Sequence, residues 1–311
     1  MQVYRGIPRL ADRVPCALTI GNFDGVHRGH QALLARVVAT ARDRGLVSAV
    51  MTFEPHPREF FTPDRAPARI SNLRDKLSAL EGAGIERVYI QHFNRKFALV
   101  SAVEFVEQVL VAGCAVRWLL VGDDFRFGAR RAGDNALLAQ HAARGDFELE
   151  QMPTFDDGGE RISSTAVRAA LASGDLGRAE RLLGRPYAIS GRVLHGRKLG
   201  RAIGFPTLNL KIAHGHPAVH GIFAVSVLGL GPRRAGVASI GLRPTVDNAG
   251  RWMLEVHLFD FSDDAYGQLV TVEFLKKLRE ERKYETLDDL SAAIRSDAAQ
   301  ARALFDGALA P

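Results

Sequence analysis

Residues 18–30 read LTIGNFDGVHRGH and contain a strand end, a turn and a helix start in succession. The apolar positions up to Ile20 predict a buried parallel strand, which stops at Gly21 and turns at Gly25. From Leu33 onward, apolar residues recur every three or four positions, as in an amphipathic helix. A strand, a glycine turn and a helix start place backbone N–H groups and the positive end of a helix dipole where a phosphate can bind.

Two histidines mark the predicted helix start. His27 and His30 are three positions apart, so their imidazoles can point to one side. Imidazoles beside an anion-binding helix end suit stabilisation of charge on a phosphate during transfer. Surface or packing histidines are the ordinary alternative, and the glycine turn favours catalysis here. A metal site is disfavoured because no third ligand is close in sequence.

The segment GNFDGVHRGH at residues 21–30 resembles the His-x-Gly-His signature of nucleotidylyltransferases. Its longer form is similar to that of bacterial bifunctional riboflavin kinase/FMN adenylyltransferases, also called FAD synthetases. The resemblance implies that His27 and His30 are catalytic. It also implies a group of nucleotide- and flavin-binding residues within this segment: Gly21, Phe23, Asp24 and Gly25.

Composition limits the partners. The chain of 311 residues has a formal charge of +6, which favours anionic ligands such as nucleotides. Its arginines are scattered through helices, so we expect no nucleic-acid partner. The chain has only two cysteines, Cys16 and Cys114, and we expect both to be buried free thiols. The amino terminus lacks a signal-like apolar core and no apolar run is long enough to span a bilayer, so we expect no membrane partner and a cytoplasmic protein.

Strand and helix patterns alternate from Cys16 to about Phe155 and predict an α/β domain with a parallel sheet. Further strands are predicted at 46–53, 87–90 and 116–121. Helices are predicted from about residue 72 to residue 82, with Ser71 as N-cap, and after the capping box of Ser101 and Glu104. The resemblance implies a Rossmann-like nucleotidylyltransferase fold.

Unusual residues follow two of the predicted strands, where ligands of parallel sheets gather. TFEPHP occupies residues 52–57 and VGDDFRFG occupies residues 121–128. Taken singly, Phe125 and Phe127 are better explained by core packing. Both segments resemble parts of FAD synthetases that line the FMN and ATP pocket. The resemblance implies that Asp124 and Phe125 lie near the flavin and that His56 lies at the pocket wall.

A hydroxyl-rich segment, RISSTAVR, occupies residues 161–168. Hydroxyls entering a helix are first of all caps, although they can also contact phosphates. The segment resembles the Ile-Ser-Ser-Thr-x-x-Arg element of the adenylyltransferase site. That resemblance implies triphosphate contacts from Ser163, Ser164, Thr165 and Arg168.

The periodicity changes near Gly184-Arg185-Pro186, which reads as a linker. Strand-like segments separated by glycine turns follow, and they predict a small antiparallel β-barrel. They lie at 187–194, 222–228, 235–240, 253–259 and 269–274. A terminal helix is predicted over about 287–305. We therefore expect two domains: an FMN adenylyltransferase domain at 1–184 and a riboflavin kinase domain at 185–311.

A second dense stretch, GRKLGRAIGFPTLNL, occupies residues 196–210. Glycines with basic residues suit phosphates, although residues 196–201 alone read as a basic surface turn. Thr207 and Asn209 supply neutral oxygens that Mg²⁺ accepts beside ATP oxygens. The stretch resembles the riboflavin kinase signature, usually Pro-Thr-Ala-Asn at its core, with Leu208 in place of alanine. The resemblance implies that Thr207 and Asn209 bind the metal. It also implies nucleotide or flavin contacts from Gly196, Lys198, Gly200, Gly204, Pro206, Arg279 and Glu281.

Glu255 begins a strand-like segment among apolar neighbours, where an unpaired carboxylate is costly. A structural ion pair with an arginine is one interpretation. The other is a general base that accepts the proton of a hydroxyl attacking the γ-phosphate of ATP. The resemblance assigns the latter role to this position.

The resemblance, which extends over residues 15–300, implies an enzyme that converts riboflavin to FMN and then FMN to FAD, with ATP and Mg²⁺. One rival is a riboflavin kinase whose amino-terminal module is inactive or specific for another acceptor. The other is a flavin- or nucleotide-binding regulator of nucleic acid, motivated only by the positive charge. The oligomeric state is left open.

Overall fold

The strand predicted up to Ile20 lies at the centre of a parallel sheet. In the computed structural model, β2 (Cys16–Ile20) is buried along its whole length. It pairs in parallel with β3 (Val47–Glu54) on one side and β5 (Val116–Gly122) on the other. The outer strands β1 (Gln2–Arg5), β4 (Arg87–His92) and β6 (Glu148–Met152) complete the parallel order β1–β4–β3–β2–β5–β6.

The structure describes residues 1–153, 155–157, 160–195, 205–212, 216–243 and 251–308. They form two units: residues 1–67 with 76–163, and residues 68–75 with the described residues from Ser164 onward. The α/β-plus-β fold class is confirmed. The predicted domain boundary between residues 184 and 185 stays a prediction.

Helical segments connect the strands of the sheet. They are α1 (Arg28–Arg44), α2 (Pro57–Phe61), α3 (Leu73–Gly82), α4 (Arg95–Ala98), α5 (Ala102–Glu104), a π-helical segment (Phe105–Val111), α6 (Ala112–Cys114) and α7 (Asn135–Ala143). The predicted capping box before α5 is confirmed, because Ser101 Oγ accepts from the Glu104 amide at 3.1 Å and Glu104 Oε2 accepts from the Ser101 amide at 2.9 Å. A short hairpin, β7 (Asp156–Asp157) and β8 (Glu160–Arg161), follows the sheet.

Details of α3 differ from the prediction. Asn72, and not Ser71, is the cap, because its Oδ1 accepts from the Asp75 amide at 2.8 Å. Its buried face includes Lys76, which is 1 % exposed, beside Leu80. Burial follows the helical period, so a lysine three positions after Leu73 enters the core side despite its charge. The Lys76 Nζ lies 3.5 Å from the hydroxyl of Thr52.

The second unit contains a closed antiparallel barrel, as predicted. Its strands run in the order β10–β13–β12–β11–β14–β9. They are β9 (Ala188–Leu194), β10 (Leu208–Lys211), β11 (Gly221–Leu228), β12 (Arg234–Arg243), β13 (Arg251–Leu258) and β14 (Leu269–Arg279). The helices of this unit are α8 (Ser164–Ser173), α9 (Leu176–Leu183) and α10 (Leu287–Ala308).

The terminal helix covers part of the barrel. Ala301 of α10 is fully buried and belongs to one apolar cluster with Ile222 and Ala224 of β11 and Val237 of β12. Because apolar residues fill the barrel on the other side, β11 is buried at nearly every position. Its sequence therefore lacks the alternation of a strand with one face in water.

The sequence also predicts that the two cysteines are buried free thiols and that no segment is long and apolar enough to span a bilayer. Cys16 and Cys114 are buried free thiols, as predicted, and burial raises the pKa of Cys16 to about 12. Among the helices that the structure describes, none combines the length and apolarity needed to span a bilayer.

Two candidate active sites

The first candidate site lies where the order of the parallel sheet reverses. From β2 the chain proceeds to β3 and β4 on one side, whereas β5 and β6 add on the other side. Ligands of such sheets bind in the crevice at the carboxyl ends of the strands at this switch point. The segment after β2, residues 21–30, and the segment after β5, residues 123–127, both start at that edge. We call residues 21–30 the histidine turn.

The histidine turn has an unusual backbone. Phe23 has φ 48° and Val26 has φ 41°, on either side of Gly25 at φ 85°. Left-handed conformations of bulky residues cost about 1–3 kcal/mol each and persist where the surrounding packing determines them. Both side chains are 1 % exposed, so the core fixes them. The turn is therefore held in one shape before any ligand binds.

His27 and His30 are brought together at the start of α1. His27 is the N-cap, and its Nδ1 accepts from the His30 amide at 3.3 Å. This bond places the proton of a neutral His27 on Nε2. The two rings stack with centroids 3.7 Å apart and an interplanar angle of 16°.

Small and aromatic neighbours fix the histidine rings. A Cβ on Gly29 would lie 3.3 Å from His27 Nδ1 and 3.4 Å from the Ile162 carbonyl oxygen. The ring of Phe23 lies 5.0 Å from that of His30 and is buried beneath it. Phe23 also contacts the position of Gly21, where a Cβ would approach the ring to 3.1 Å. Phe23 therefore packs against His30, and the lack of a side chain at Gly29 leaves room for the ring of His27.

The remaining predicted residues of this region have diverse surroundings. Asp24 is buried at 2 % exposure. His56 is the N-cap of α2, where its Nδ1 accepts from the Arg58 amide at 3.1 Å and Glu59 completes a capping box. Asp124 is exposed and accepts from Arg161 Nη2 at 3.1 Å.

Phe125 and Phe127 are each open to two interpretations, core packing or a place near a ligand, and the structure buries them to different extents. Their rings stack at 5.5 Å with an interplanar angle of 20°. Phe127 is 6 % exposed and belongs to the core, whereas Phe125 is half-buried at the edge of that core. Only Phe125 therefore offers substantial surface to a ligand.

The hydroxyl-rich segment begins a helix, as predicted. Ser163 ends the first unit, and α8 begins at Ser164, so Ser164, Thr165 and Arg168 belong to the second unit. Arg168 Nε donates to the Ala68 carbonyl at 2.7 Å within that unit. Contacts of these residues with a triphosphate stay a prediction.

The second candidate site is a row of polar residues across three barrel strands. Glu255 on β13 lies opposite Asn209 on β10 and opposite Ser239 on β12. Directly opposed residues of antiparallel strands share a face, with Cβ atoms roughly 4.5–5.5 Å apart. The flanking Leu254 and Val256 are fully buried in the barrel, so the row faces outward. We call Asn209, Ser239 and Glu255 the glutamate face.

The candidate metal ligands begin beside this row. Asn209 Nδ2 donates to the Thr207 carbonyl at 3.1 Å, so the side-chain oxygen Oδ1 points away from that carbonyl. The Pro206 carbonyl accepts from His257 Nδ1 at 3.0 Å and ties this segment to β13. Leu208 pairs with the buried Val256, so it points away from Asn209, as expected from the alternation.

Two predicted ligand-binding residues near the end of β14 have protein partners. Arg279 donates from Nε and Nη2 to Asp297 of α10 at 2.8 and 2.6 Å, and this hydrogen bond raises the pKa of Arg279. Glu281 Oε1 accepts from Ser239 Oγ at 2.8 Å. Gly196, Lys198, Gly200 and Gly204 lie outside the described residues.

Sequence reasoning missed two polar residues of these regions. Ser239 carries no sequence signal, because only the pairing of β12 with β13 places it beside Glu255. Lys76 lies on the buried face of the helix predicted over about 72–82. Its position in the helical period was the available signal.

Comparisons with known proteins follow the division of the chain. A family model described as FAD synthetase matches residues 10–166, and one described as riboflavin kinase matches residues 183–305. The bifunctional riboflavin kinase/FMN adenylyltransferase of Escherichia coli K12 is 49 % identical over 308 residues, which cover 98 % of each chain. The chain belongs to the bifunctional riboflavin kinase/FMN adenylyltransferase family.

Two further known proteins match along nearly the full length of the chain. The Pseudomonas fluorescens protein is 48 % identical, with 98 % of each chain covered. A solved structure from Streptococcus pneumoniae, described as a macrolide-efflux protein, is 30 % identical. It covers 95 % of this chain and 96 % of its own, with a TM-score of 0.74. The two-domain organisation of the family therefore extends across this chain.

Proposed function

We propose that the two candidate sites catalyse consecutive steps of flavin cofactor synthesis. The chain phosphorylates riboflavin with ATP to give FMN and ADP, and joins FMN to the adenylyl group of a second ATP to give FAD and pyrophosphate. One observation supports this assignment: each site lies within the residues matched by one family model. The histidine turn lies within residues 10–166, matched by the FAD synthetase model, and the glutamate face lies within residues 183–305, matched by the riboflavin kinase model.

In the adenylyl transfer, an FMN phosphate oxygen attacks the α-phosphorus of ATP. A P–O bond forms to FMN, and the bond to the leaving pyrophosphate breaks. His27 donates from Nε2 to a phosphate oxygen, since Nδ1 is occupied by the N-cap bond. His30 stabilises the same developing charge from the adjacent ring. The start of α1 adds its dipole, and no covalent enzyme intermediate is needed.

In the kinase reaction, the 5′-hydroxyl of riboflavin attacks the γ-phosphorus of ATP. Glu255 accepts the hydroxyl proton as the P–O bond forms, and ADP leaves. An outward-facing carboxylate in a rigid strand suits this role, because the strand pairs on both sides hold it in position. Glu255 is thus the catalytic base, and the strand pairs supply its orientation.

The residues beside Glu255 fit a magnesium ion. Asn209 has its amide nitrogen committed to the Thr207 carbonyl, so its Oδ1 and the Thr207 hydroxyl are neutral oxygen donors of the kind Mg²⁺ accepts. In the described part of the chain, no group of three or more His, Cys, Asp or Glu residues could hold a metal. A bound Mg²⁺ would neutralise charge on the ATP phosphates.

The substrate-contacting residues are also proposals. For FMN and the ATP of the adenylyl transfer, we propose the histidine-turn residues named above together with His56, Asp124, Phe125, Ser163, Ser164, Thr165 and Arg168. For riboflavin and the ATP of the kinase reaction, we propose Gly196, Lys198, Gly200, Gly204, Pro206, Arg279 and Glu281. A cytoplasmic location and the lack of a nucleic-acid or membrane partner stay predictions.

The test is a chromatographic assay of the purified protein with riboflavin, ATP and Mg²⁺, following FMN and FAD over time. We expect FMN first and FAD after it. A parallel reaction with FMN supplied isolates the second step. FMN without FAD in both reactions would leave a kinase whose amino-terminal module is inactive or has another acceptor. Neither product would refute the proposal.

A further inference from the structure

The position of Glu281 next to the glutamate face is set by two small residues of β12. Ser239 donates its hydroxyl to Glu281 Oε1 at 2.8 Å. Two positions along the same strand face, Gly241 leaves the space in which the carboxylate lies, because a Cβ on Gly241 would collide with the carboxyl carbon and both carboxylate oxygens of Glu281. No side chain larger than hydrogen is compatible with this placement.

The segment that carries Glu281 is anchored on both sides. The preceding Arg279 forms its two hydrogen bonds with Asp297, which is 3 % exposed. Glu280 accepts from Lys277 at 2.6 Å, and Arg282 donates to the Tyr284 hydroxyl at 3.0 Å. Glu281 itself contacts β12 through the hydrogen bond from Ser239.

The register puts this carboxylate one residue away from the catalytic base. Ser239 lies directly opposite Glu255 and on the same face, so Glu281 is bonded to the immediate cross-strand neighbour of Glu255. The riboflavin 5′-hydroxyl must reach Glu255 to react, and the rest of the ribityl chain carries further hydroxyls. A carboxylate beside the base is an acceptor for such polyol hydroxyls.

We propose that Ser239 and Gly241 are positioning residues that hold the Glu281 carboxylate as an acceptor for the ribityl hydroxyls beside Glu255. This inference rests on the proposed kinase function and gives it a specificity element. Ser239 does not touch the reacting atoms in this account. It acts through Glu281, so its loss weakens riboflavin binding and leaves the chemical step to Glu255 and ATP.

The experiment measures kcat and KM for riboflavin and for ATP in Ser239→Ala, Ser239→Thr and Gly241→Ala. We expect riboflavin KM to rise about tenfold in Ser239→Ala, the order expected for a lost hydrogen bond to a charged group, with kcat within about twofold. Ser239→Thr retains the hydroxyl and restores KM. Gly241→Ala displaces the carboxylate and raises riboflavin KM at least as much. ATP KM stays at the wild-type value.

Matched variants and the second activity provide controls. Ser296→Ala removes an exposed serine whose hydroxyl accepts from Gln300 at 3.3 Å, and Gly82→Ala places a methyl group in open space. Both should retain wild-type constants, and FAD formation from supplied FMN should be normal in every variant. Absence of FMN formation by the wild-type protein would refute the proposed function itself.

Three outcomes would overturn the inference with the wild-type kinase active. One is unchanged riboflavin KM in Ser239→Ala and Gly241→Ala. A second is a loss of kcat at constant KM, which would place Ser239 with the base and not with the ribityl chain. The third is failure of Ser239→Thr to restore KM when circular dichroism shows the fold intact.

Discussion

The histidine turn and the glutamate face are assembled over different distances along the chain. All of the histidine turn lies within residues 21–30, where one N-cap bond and one stacking contact connect the two histidines. The glutamate face draws Asn209, Ser239 and Glu255 from three strands that only the barrel brings side by side. A site of the first kind depends on local backbone shape, whereas the second depends on strand register.

This difference predicts how each site responds to damage. Single changes in the histidine turn should alter adenylyl transfer alone, through small shifts of two rings. The glutamate face should be sensitive both to direct replacement of Glu255 and to loosening of the strands and helix that hold it.

The largest effect is expected for Glu255→Gln. The amide keeps the shape of the side chain but cannot accept the hydroxyl proton, so FMN formation should fall by about 10²–10⁴-fold. FAD formation from supplied FMN should be retained, as measured by chromatography. Equal loss of both activities, with the fold intact by circular dichroism, would contradict the separation of the two sites.

His30→Ala should be the converse experiment. Removal of one group that stabilises the transferred phosphate should slow FAD formation by about 10²–10³-fold, while FMN formation from riboflavin continues at the wild-type rate. The measurement is initial rates of both products. A matched loss of kinase activity would show that the histidine turn serves both reactions.

Gly29→Ala should disturb the histidine turn less than His30→Ala, because it only displaces the ring of His27. The added methyl group would lie 3.3 Å from His27 Nδ1, so the ring must move by a few tenths of an ångström. We expect a decrease in adenylyl transfer of about tenfold, since catalysis depends steeply on the position of such groups. Gly82→Ala, whose methyl group meets no neighbour, is the matched control. Similar rates for the two variants would argue against a packed histidine turn.

Asp297→Asn should produce the smallest effect on catalysis and a measurable effect on stability. Arg279 would lose its charged partner, although it is itself partly exposed, so we expect a loss of about 1–3 kcal/mol in the free energy of unfolding of the second unit. Urea denaturation followed by kinase activity measures this. The exposed Asp306→Asn on the same helix should leave the midpoint unchanged. An unshifted midpoint in Asp297→Asn would show that the hydrogen bonds between Asp297 of α10 and Arg279 do not stabilise the second unit.

The fold class followed from the sequence because both modules have distinct periodicities. The buried strand ending at Ile20 and the capping box of Ser101 and Glu104 are local patterns, and both are confirmed. β1 and β6 were not predicted, because they are edge strands with several exposed positions and no continuous apolar run. The cap of α3 was displaced by one residue, since Ser71 and Asn72 are both good capping residues and only the hydrogen bond distinguishes them.

The candidate sites divide in the same way. The sequence by itself identified the histidine turn, because the strand, the glycines and the histidines are contiguous, whereas core packing holds Phe23 and Val26 in their left-handed conformations. It also supplied Thr207, Asn209 and Glu255 as separate candidates. Only the tertiary structure decided that Asn209 and Glu255 face each other, that Ser239 completes their row, and that Glu281 lies over Gly241. Strand register is set by pairing between distant segments, so no local pattern could predict these neighbours.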